Sequence, residues 1–372
     1  MKIAIVLNTS WNIYNFRLGL IRSLINQGHE LVAIAPEDDY TNKVIQAGCS
    51  FERVTMDSRG ANPIKDMGLI IELFRIYRRV RPDIILHFTV KPNIYGTFAA
   101  RMLKIPAINN VCGLGTVFLN KGLISVIAKI MYKMAFRYPN KVLFQNDEDL
   151  NLFIREKLIR EEKTDLVPGS GLDLRKFRPG KKDNCESFIF LLISRLIYDK
   201  GIVEYVNAIR KLKNMGIQAK FRILGAIDEK HKRGIPAQTI FSWVDEGLIE
   251  YHPRVQDVRE HIRMADCIVL PSYREGTPRT LLEAAGMAKP IVTTDVAGCN
   301  HVVKDNQNGF LCKLKDSDDL AEKMKRMYLL KETDREKMGS MGREIVEHYF
   351  DENKVIDKYN DLINHYRKKL SA

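Results

Sequence analysis

The chain has few cysteines, and none of them falls in a pattern that would give it a structural role. There is no C-x-x-C pair and no His/Cys cluster at zinc-ligand spacing, which argues against a structural zinc site. A disulfide framework is not indicated either, so we expect a reducing, cytosolic compartment. The six cysteines are Cys49, Cys112, Cys185, Cys267, Cys299 and Cys312.

Long apolar runs are also absent. No segment reaches the roughly 18 uninterrupted apolar residues that a membrane-spanning helix requires. The apolar run at residues 3–7 is too short to span a bilayer and carries no signal cleavage site. We therefore do not expect an integral membrane protein.

Acidic residues are missing from one long stretch, 84–146, although the whole chain contains 46 of them against 59 Lys and Arg, a net charge of +13. Such a field attracts anions. Within the stretch, residues 117–136 mix large apolar side chains with lysines. This pattern fits a helix lying in an anionic lipid surface, or equally a core helix with a solvated lysine edge. The basic residues of the stretch are Lys91, Arg101, Lys104, Lys121, Lys129, Lys133, Arg137 and Lys141.

Nucleic acid is the other polyanion that a basic protein could bind. The Lys and Arg residues are not interleaved with aromatic ones as in a single-strand binding groove, and no nucleic-acid-binding motif is present. Nucleic acid is therefore not an expected partner.

The order of apolar runs indicates an α/β fold with two domains, as expected for 372 residues of which 45% are apolar. Short β-branched or apolar runs alternate with helix-like segments, which predicts parallel sheets covered by helices. Pro, Gly and charged residues concentrate at 167–171 and 178–184, which is linker composition. The predicted strands lie at 2–8, 30–35, 83–87, 107–111 and 141–144, then at 187–194, 221–224, 249–251, 267–270 and 290–293.

The strongest chemical signal lies at 271–284 (PSYREGTPRTLLEA), directly after a predicted strand. A strand, a loop with Gly276 and a helix that starts near Pro278 form an anion-binding helix N-terminus. Glu275 lies in the loop and Glu283 lies in the helix, so the first could reach a sugar and the second a ribose. Without further context, a glutamate in the first helical turn and a solvated helix glutamate would be the favoured explanation of the pair.

Residues 271–284 resemble the E-x7-E signature of retaining glycosyltransferases of family 4. Similarity to that family extends to 194–196 (SRL), 199–201 (DKG), 266–272 (DCIVLPS), 286–292 (GMAKPIV), 308–311 (NGFL) and the closing helix after Asp351. The resemblance implies the GT-B fold, an α/β architecture of two facing Rossmann-like domains with a cleft between them and a C-terminal helix that returns to the N-terminal domain. The expected divisions are an acceptor-binding domain at 1–168, a nucleotide-sugar donor domain at 185–350 and the helix at 351–372.

The resemblance also implies roles for individual residues. Arg195 and Lys200 are expected to hold the donor diphosphate, where fixed cations stabilise the charge of the leaving group. Glu275 is expected to contact the transferred sugar and Glu283 the ribose. The remaining donor contacts are expected from Ser194, Gly276, Thr277 and Pro278, and no metal or other cofactor is expected.

A second and narrower resemblance concerns residues 87–96 (HFTVKPNIYG) and 110–118 (NVCGLGTVF). They are similar to the bacterial subgroup that adds N-acetylhexosamine to undecaprenyl-diphosphate-linked sugars. Many members of the wider family carry a histidine near the position of Cys112, so this chain departs from the pattern there. The resemblance implies acceptor contacts at Asn8, Ser10, His87, Lys91, Gly113 and Gly115. For His87, a core or strand-end histidine is the favoured alternative.

Other motifs are weak. Gly113 and Gly115 form half of a dinucleotide fingerprint without its strand-to-helix context, which disfavours a dehydrogenase. The D-x-D patterns at 147–149 and 316–318 stand at predicted helix starts, where acidic residues cap the helix and favour its dipole.

The sequence therefore predicts a retaining transferase on the inner face of the cell membrane that moves N-acetylhexosamine from a UDP-sugar to a polyprenyl-diphosphate-linked saccharide. The alternatives are a GDP-hexose donor or a phosphatidylinositol acceptor, a nucleotide-sugar epimerase, and a non-catalytic lectin-like regulator.

Overall fold

The computed structural model describes residues 1–57, 63–114, 122–183, 187–229 and 231–371. The chain folds into two compact units. Unit 1 contains Met1–Gly171 and Glu352–Ala372, and unit 2 contains Leu172–Asp351. The last helix thus belongs to unit 1, and residues 172–184, placed between the domains by composition, belong to unit 2.

Unit 1 contains a seven-stranded parallel sheet in the order β3-β2-β1-β4-β5-β6-β7. Its central strands are continuous apolar runs with almost every residue buried, as expected where helices cover both faces of a sheet. The strands are β1 (Lys2–Val6), β2 (Glu30–Ala35), β3 (Ser50–Arg53), β4 (Ile84–Phe88), β5 (Ala107–Val111), β6 (Lys141–Phe144) and β7 (Thr164–Leu166).

The helices of unit 1 follow the strands in alternation. Helix α1 begins after the N-cap Thr9, whose side chain accepts a hydrogen bond from the Asn12 backbone N–H. A π-helical turn at Pro92–Gly96 leads into α4. The helices are α1 (Ser10–Asn26), α2 (Thr41–Gln46), α3 (Pro63–Val80), α4 (Thr97–Met102), α5 (Leu123–Ala135), α6 (Asp147–Arg155) and, at the end of the chain, α14 (Glu352–Ser371).

Unit 2 contains a six-stranded parallel sheet in the order β10-β9-β8-β11-β12-β13. Its strands are β8 (Phe188–Ile193), β9 (Ala219–Leu224), β10 (Glu250–His252), β11 (Cys267–Leu270), β12 (Ile291–Thr294) and β13 (Gly309–Cys312). Its helices are α7 (Ile202–Asn214), α8 (Ala237–Asp245), α9 (Arg259–Met264), α10 (Arg279–Gly286), α11 (Cys299–Val302), α12 (Ser317–Leu329) and α13 (Glu332–Tyr349).

Both D-x-D patterns lie at helix starts. Asn146 caps α6, whose first turn contains Asp147 and Asp149. The Asp316 carboxylate caps α12 by accepting hydrogen bonds from the backbone N–H groups of Asp318 and Asp319. The capping role predicted for Asp316 is therefore confirmed.

The basic helix predicted at 117–136 is described from Gly122 onward, with α5 as its helical part. Lys121 and Gly115 lie outside the described residues. On α5, Tyr132, Ala135 and Phe136 pack into the core of unit 1, whereas Val126, Ile127, Ile130 and Met134 are exposed. One side of the helix thus belongs to the core, as the alternative of a core helix predicted. The other side is an exposed apolar surface.

Candidate active site

The candidate donor site lies at the carboxyl ends of neighbouring strands in the sheet of unit 2. Strand β8 is flanked by β9 on one side and β11 on the other, so the strand order reverses between β8 and β11. Open α/β sheets bind ligands at such a switch point. Ser194, Arg195 and Lys200 follow β8, and the segment with Glu275 follows β11, so both loops meet at this position.

Glu275 is the centre of a small polar cluster. Its side chain is only 13% exposed and forms an ion pair with the Lys200 ammonium, whose side chain is 18% exposed. The Ser272 hydroxyl donates to the Glu275 Oε1 atom at 2.7 Å. A sugar or a diphosphate entering here would meet a carboxylate and an ammonium that already neutralise each other. To contact either group directly, the ligand must weaken or break the ion pair between them.

Three loops are fixed against one another by close backbone contacts. Gly201 has a φ of 68°, and a Cβ there would lie 2.0 Å from the Pro271 carbonyl oxygen. Gly298, in the loop after β12, has a φ of 84°, and its Cβ would lie 2.4 Å from the Gly276 carbonyl oxygen. Only glycine fits both conformations, so these residues set the position of the loop that carries Glu275.

Helix α10 begins within this cluster. Its N-cap, Pro278, provides no side-chain acceptor for the first turn. The Thr280 hydroxyl donates to the Ile193 carbonyl at 3.1 Å, which ties the start of the helix to the end of β8 beside Ser194. The helix dipole therefore directs its positive end toward the carboxyl edge of the sheet.

Glu283 lies one and a half turns into α10 and forms an ion pair with Arg279 at 3.0 Å. Burial raises the pKa of Glu283, and the Arg279 charge opposes that rise. The Arg279 guanidinium also lies 5.5 Å from the centre of the Phe177 ring. These contacts hold Glu283 in one orientation, separate from the Glu275 pair.

The Arg195 side chain is exposed and forms no ion pair with any described residue. The sequence did not single out Arg233, which donates from Nε to the Asp199 carboxylate at 2.7 Å. The Asp199 carbonyl accepts from the Tyr273 backbone N–H at 2.9 Å, which links the loops after β8 and β11. The one feature of the sequence that could have indicated the contact between Arg233 and Asp199 is the acidic residue directly before Lys200.

The acceptor residues proposed for unit 1 divide into two groups. Asn8 follows β1, and Gly113 follows β5 with a φ of 120°; both are partly exposed at the carboxyl edge of the sheet. Gly115 is not among the described residues. Lys91 is mostly buried and forms an ion pair with Asp66 at 2.7 Å, so its charge is already neutralised within the unit.

Ser10 and His87, which were also predicted as acceptor contacts, both have fully buried side chains. The Ser10 hydroxyl donates to the Pro36 carbonyl at 3.0 Å. His87 Nδ1 lies 3.0 Å from the Asn109 amide oxygen, which can only accept, so Nε2 accepts from the Tyr77 hydroxyl at 2.9 Å. Burial lowers the pKa of His87 to about 4, and the Asn109 contact opposes this shift.

No three His, Cys, Asp or Glu side chains in the described part of the chain come together as metal ligands could. The same residues include no helix with the length and hydropathy needed to cross a membrane.

Comparison with known proteins places this geometry in a family. Residues 174–345 match the family described as "Glycosyl transferases group 1", and residues 2–146 match "Glycosyl transferase 4-like". Together the two matches cover both units. The chain belongs to the family-4 type of glycosyltransferases.

Two curated relatives cover most of the chain. The N,N'-diacetylbacillosaminyl-diphospho-undecaprenol alpha-1,3-N-acetylgalactosaminyltransferase of Campylobacter jejuni is 28% identical over 87% of this chain and 88% of its own length. The UDP-Gal:alpha-D-GlcNAc-diphosphoundecaprenol alpha-1,3-galactosyltransferase of Escherichia coli is 26% identical over 82% of this chain and 81% of its own length.

Solved structures show the same fold. HepE of Anabaena, solved with UDP and glucose, has a TM-score of 0.80 and 16% identity, covering 98% of this chain and 99% of its own. Sucrose-phosphate synthase of Thermosynechococcus elongatus has a TM-score of 0.81 and 17% identity, covering 100% and 99%. The fold is GT-B, with two Rossmann-like parallel-sheet domains, as the sequence predicted.

Proposed function

We propose that this glycosyltransferase moves N-acetylhexosamine from a UDP-sugar to a polyprenyl-diphosphate-linked saccharide. The anomeric configuration of the transferred sugar is retained. The observation that carries the proposal is the cluster of Lys200, Glu275 and the start of α10 at the switch point of unit 2. A cation and a helix N-terminus beside a carboxylate suit a nucleoside diphosphate whose negative charge grows as the glycosidic bond breaks.

The choice of donor and acceptor draws on the two curated relatives, whose names specify diphospho-undecaprenol acceptors, and on HepE, which was solved with UDP. In this proposal the Glu275–Lys200 pair opens when the donor binds. Lys200 then holds a phosphoryl oxygen, and Glu275 accepts a hydrogen bond from a sugar hydroxyl. The departing phosphate serves as the base that accepts the acceptor's proton.

The reaction is tested by incubating the protein with a panel of UDP- and GDP-sugars and a short-chain polyprenyl-diphosphate-linked N-acetylhexosamine, followed by mass spectrometry and NMR of the product. An α-anomeric UDP-sugar should give an α-linked disaccharide. A β-linked product would contradict retention, and a free sugar formed without an acceptor would favour the epimerase alternative.

We also propose that the reaction needs no metal ion, because Lys200, Arg195 and the helix N-terminus provide the positive charge at the diphosphate. Activity should persist in excess EDTA. Loss of activity in EDTA that magnesium restores would contradict this part of the proposal.

We propose further that unit 1 docks on an anionic membrane on the cytoplasmic side. The support is the exposed apolar side of α5, where Val126, Ile127, Ile130 and Met134 are uncovered. Lys133 and Arg137 are exposed on and just after the same helix, and no acidic residue lies between 84 and 146. An apolar surface bordered by cations suits anionic headgroups above acyl chains.

A further inference from the structure

Arg17, in α1 of unit 1, is a buried arginine that has no counter-charge among the described residues. Its side chain is 4% exposed, and its guanidinium carbon lies 4.2 Å from the centre of the Phe88 ring. Among the described residues, its guanidinium forms only one hydrogen bond, a long one from Nη2 to the Cys112 sulfur at 3.8 Å. The Arg17 Nε atom is buried and has no hydrogen-bond partner.

No carboxylate in the part of the chain that the structure describes neutralises this cation. Arg17 forms no ion pair with any described residue, and the groups around Cys112 are neutral amides and a thiol. The two internal segments of unit 1 that the structure does not describe, 58–62 and 115–121, contain no acidic residue. Arginine is rarely buried unless it is paired, because taking an isolated cation out of water is costly.

The position of Arg17 is that of a ligand site. The guanidinium stacks on Phe88, the last residue of β4, and contacts Cys112, which directly follows β5. The order of the sheet reverses between β1 and β4, so this is the switch point of unit 1. Sequence patterns do not mark it.

A second group without a hydrogen-bond partner among the described residues follows Phe88 in the chain. Thr89, next to Phe88, has a φ of 66°, which is strained for a β-branched residue, and its buried hydroxyl has no hydrogen-bond partner. Two buried donors, one of them charged, thus await an acceptor at the same strand end.

We propose that Arg17 binds a phosphoryl oxygen of the diphosphate in the lipid-linked acceptor. This inference rests on the proposed function and assigns the acceptor's anion to a residue of unit 1. The planar guanidinium matches phosphate oxygens, and an incoming anion supplies the charge that the unit lacks. The donor diphosphate has its own cations, Lys200 and Arg195, in unit 2.

The kinetic test compares two acceptors with the same saccharide, one on a short polyprenyl diphosphate and one on an uncharged alkyl chain. Arg17→Met keeps the packing on Phe88 and should raise KM for the diphosphate acceptor at least tenfold. It should leave KM for the donor, and kcat/KM for the uncharged acceptor, within about twofold. Arg22→Met, at an exposed position of the same helix, is the matched control.

Equal losses on both acceptors, or a rise in KM for the donor alone, would overturn the inference. If the wild type transfers no sugar to the diphosphate acceptor, the proposed function itself is contradicted, whatever the Arg17 variant does.

A binding test that needs no turnover uses inorganic pyrophosphate in a background of Lys200→Met, which weakens the donor site. Pyrophosphate should raise the melting temperature of the Lys200→Met protein and raise it much less when Arg17→Met is added. Without ligand, Arg17→Met alone should raise the melting temperature, because it removes an uncompensated buried charge. A lower melting temperature in ligand-free Arg17→Met, with an unchanged response to pyrophosphate, would identify a purely structural arginine.

Discussion

Lys200 and Glu275 neutralise each other in the absence of a ligand, and this determines how their variants should behave. Lys200→Ala leaves the Glu275 carboxylate without its cation and removes positive charge from the proposed diphosphate position. Turnover should fall at least tenfold, equivalent to about 1.4 kcal/mol of transition-state stabilisation. Steady-state kinetics check this, with Lys220→Ala, an exposed lysine near the amino end of β9, as control. Wild-type turnover in Lys200→Ala would remove this lysine from the mechanism.

His87 gives the protein a pH dependence of stability. Its pKa is lowered to about 4 in the folded state, against an ordinary value of 6.5. The unfolded chain therefore binds the proton first, and the stability contributed by neutral His87 is present above pH 6.5 and is lost as the pH falls toward 4. The loss amounts to at most about 3 kcal/mol. Urea unfolding of wild type and His87→Gln across this range should show the steeper decline in wild type. Parallel curves would contradict the assignment.

For individual residues, the sequence indicated which side chains belong to the candidate site, but it did not indicate which other side chains they contact. Glu275 and Glu283 stood out through the resemblance to a family, but nothing in their spacing showed that one would pair with Lys200 and the other with Arg279. Ser10 and His87 stay predicted acceptor contacts, but their side chains are fully buried, and the sequence did not show that burial. Arg17 escaped notice since burial without a carboxylate is a property of the tertiary fold alone.

Among the elements, α14 joins the core of unit 1. Val355, Tyr359 and Ile363 are buried against it, and the Tyr359 hydroxyl accepts a hydrogen bond from Asn110 at 2.7 Å. Ile363→Ala should lower the free energy of unfolding by about 2–5 kcal/mol because it leaves a cavity. Chemical denaturation checks this, with exposed Asn364→Ala as the control on the same helix. A loss no larger than that of the control would show that the helix contributes little to the core.

The central strands were predicted from the sequence, whereas β10 was the only edge strand of the described sheets that was predicted. Strands β2, β5, β6 and β11 have the predicted bounds, because buried parallel strands are rich in apolar and β-branched residues. The edge strands β3 (SFER) and β7 (TDL) are short and carry charged residues, so their sequences resemble loops. Strand β13 is an edge strand too, and its four residues were noticed only as part of the family resemblance.

For the whole molecule, the net charge of +13 and the exposed side of α5 lead to a test of membrane docking. The protein should co-sediment with anionic vesicles at low salt and less so as salt rises, because the Debye length falls from about 10 Å at 0.1 M to about 3 Å at 1 M. Changing Val126, Ile130 and Met134 to Ser should abolish sedimentation while affinity for the nucleotide is kept.

The matched control changes three exposed apolar residues of unit 2, Phe241, Val244 and Leu329, to Ser and should sediment like wild type. If wild type does not sediment with anionic vesicles at low salt, or if both triple variants sediment equally, α5 is not the docking surface.

The path of the chain also bears on its biosynthesis. Unit 2 is made from one continuous segment, whereas unit 1 needs residues at 352–371 to complete its core. The ribosome synthesises the chain from its N-terminus, so the first sheet emerges before Tyr359 and Ile363 have been made. The core of unit 1 then lacks these two side chains. Unit 2 is translated after the first sheet of unit 1, but all of its residues are synthesised before those of the last helix of unit 1. The nascent N-terminal half therefore exposes apolar surface for the time needed to synthesise about 180 further residues, and it is the half for which a chaperone is most needed.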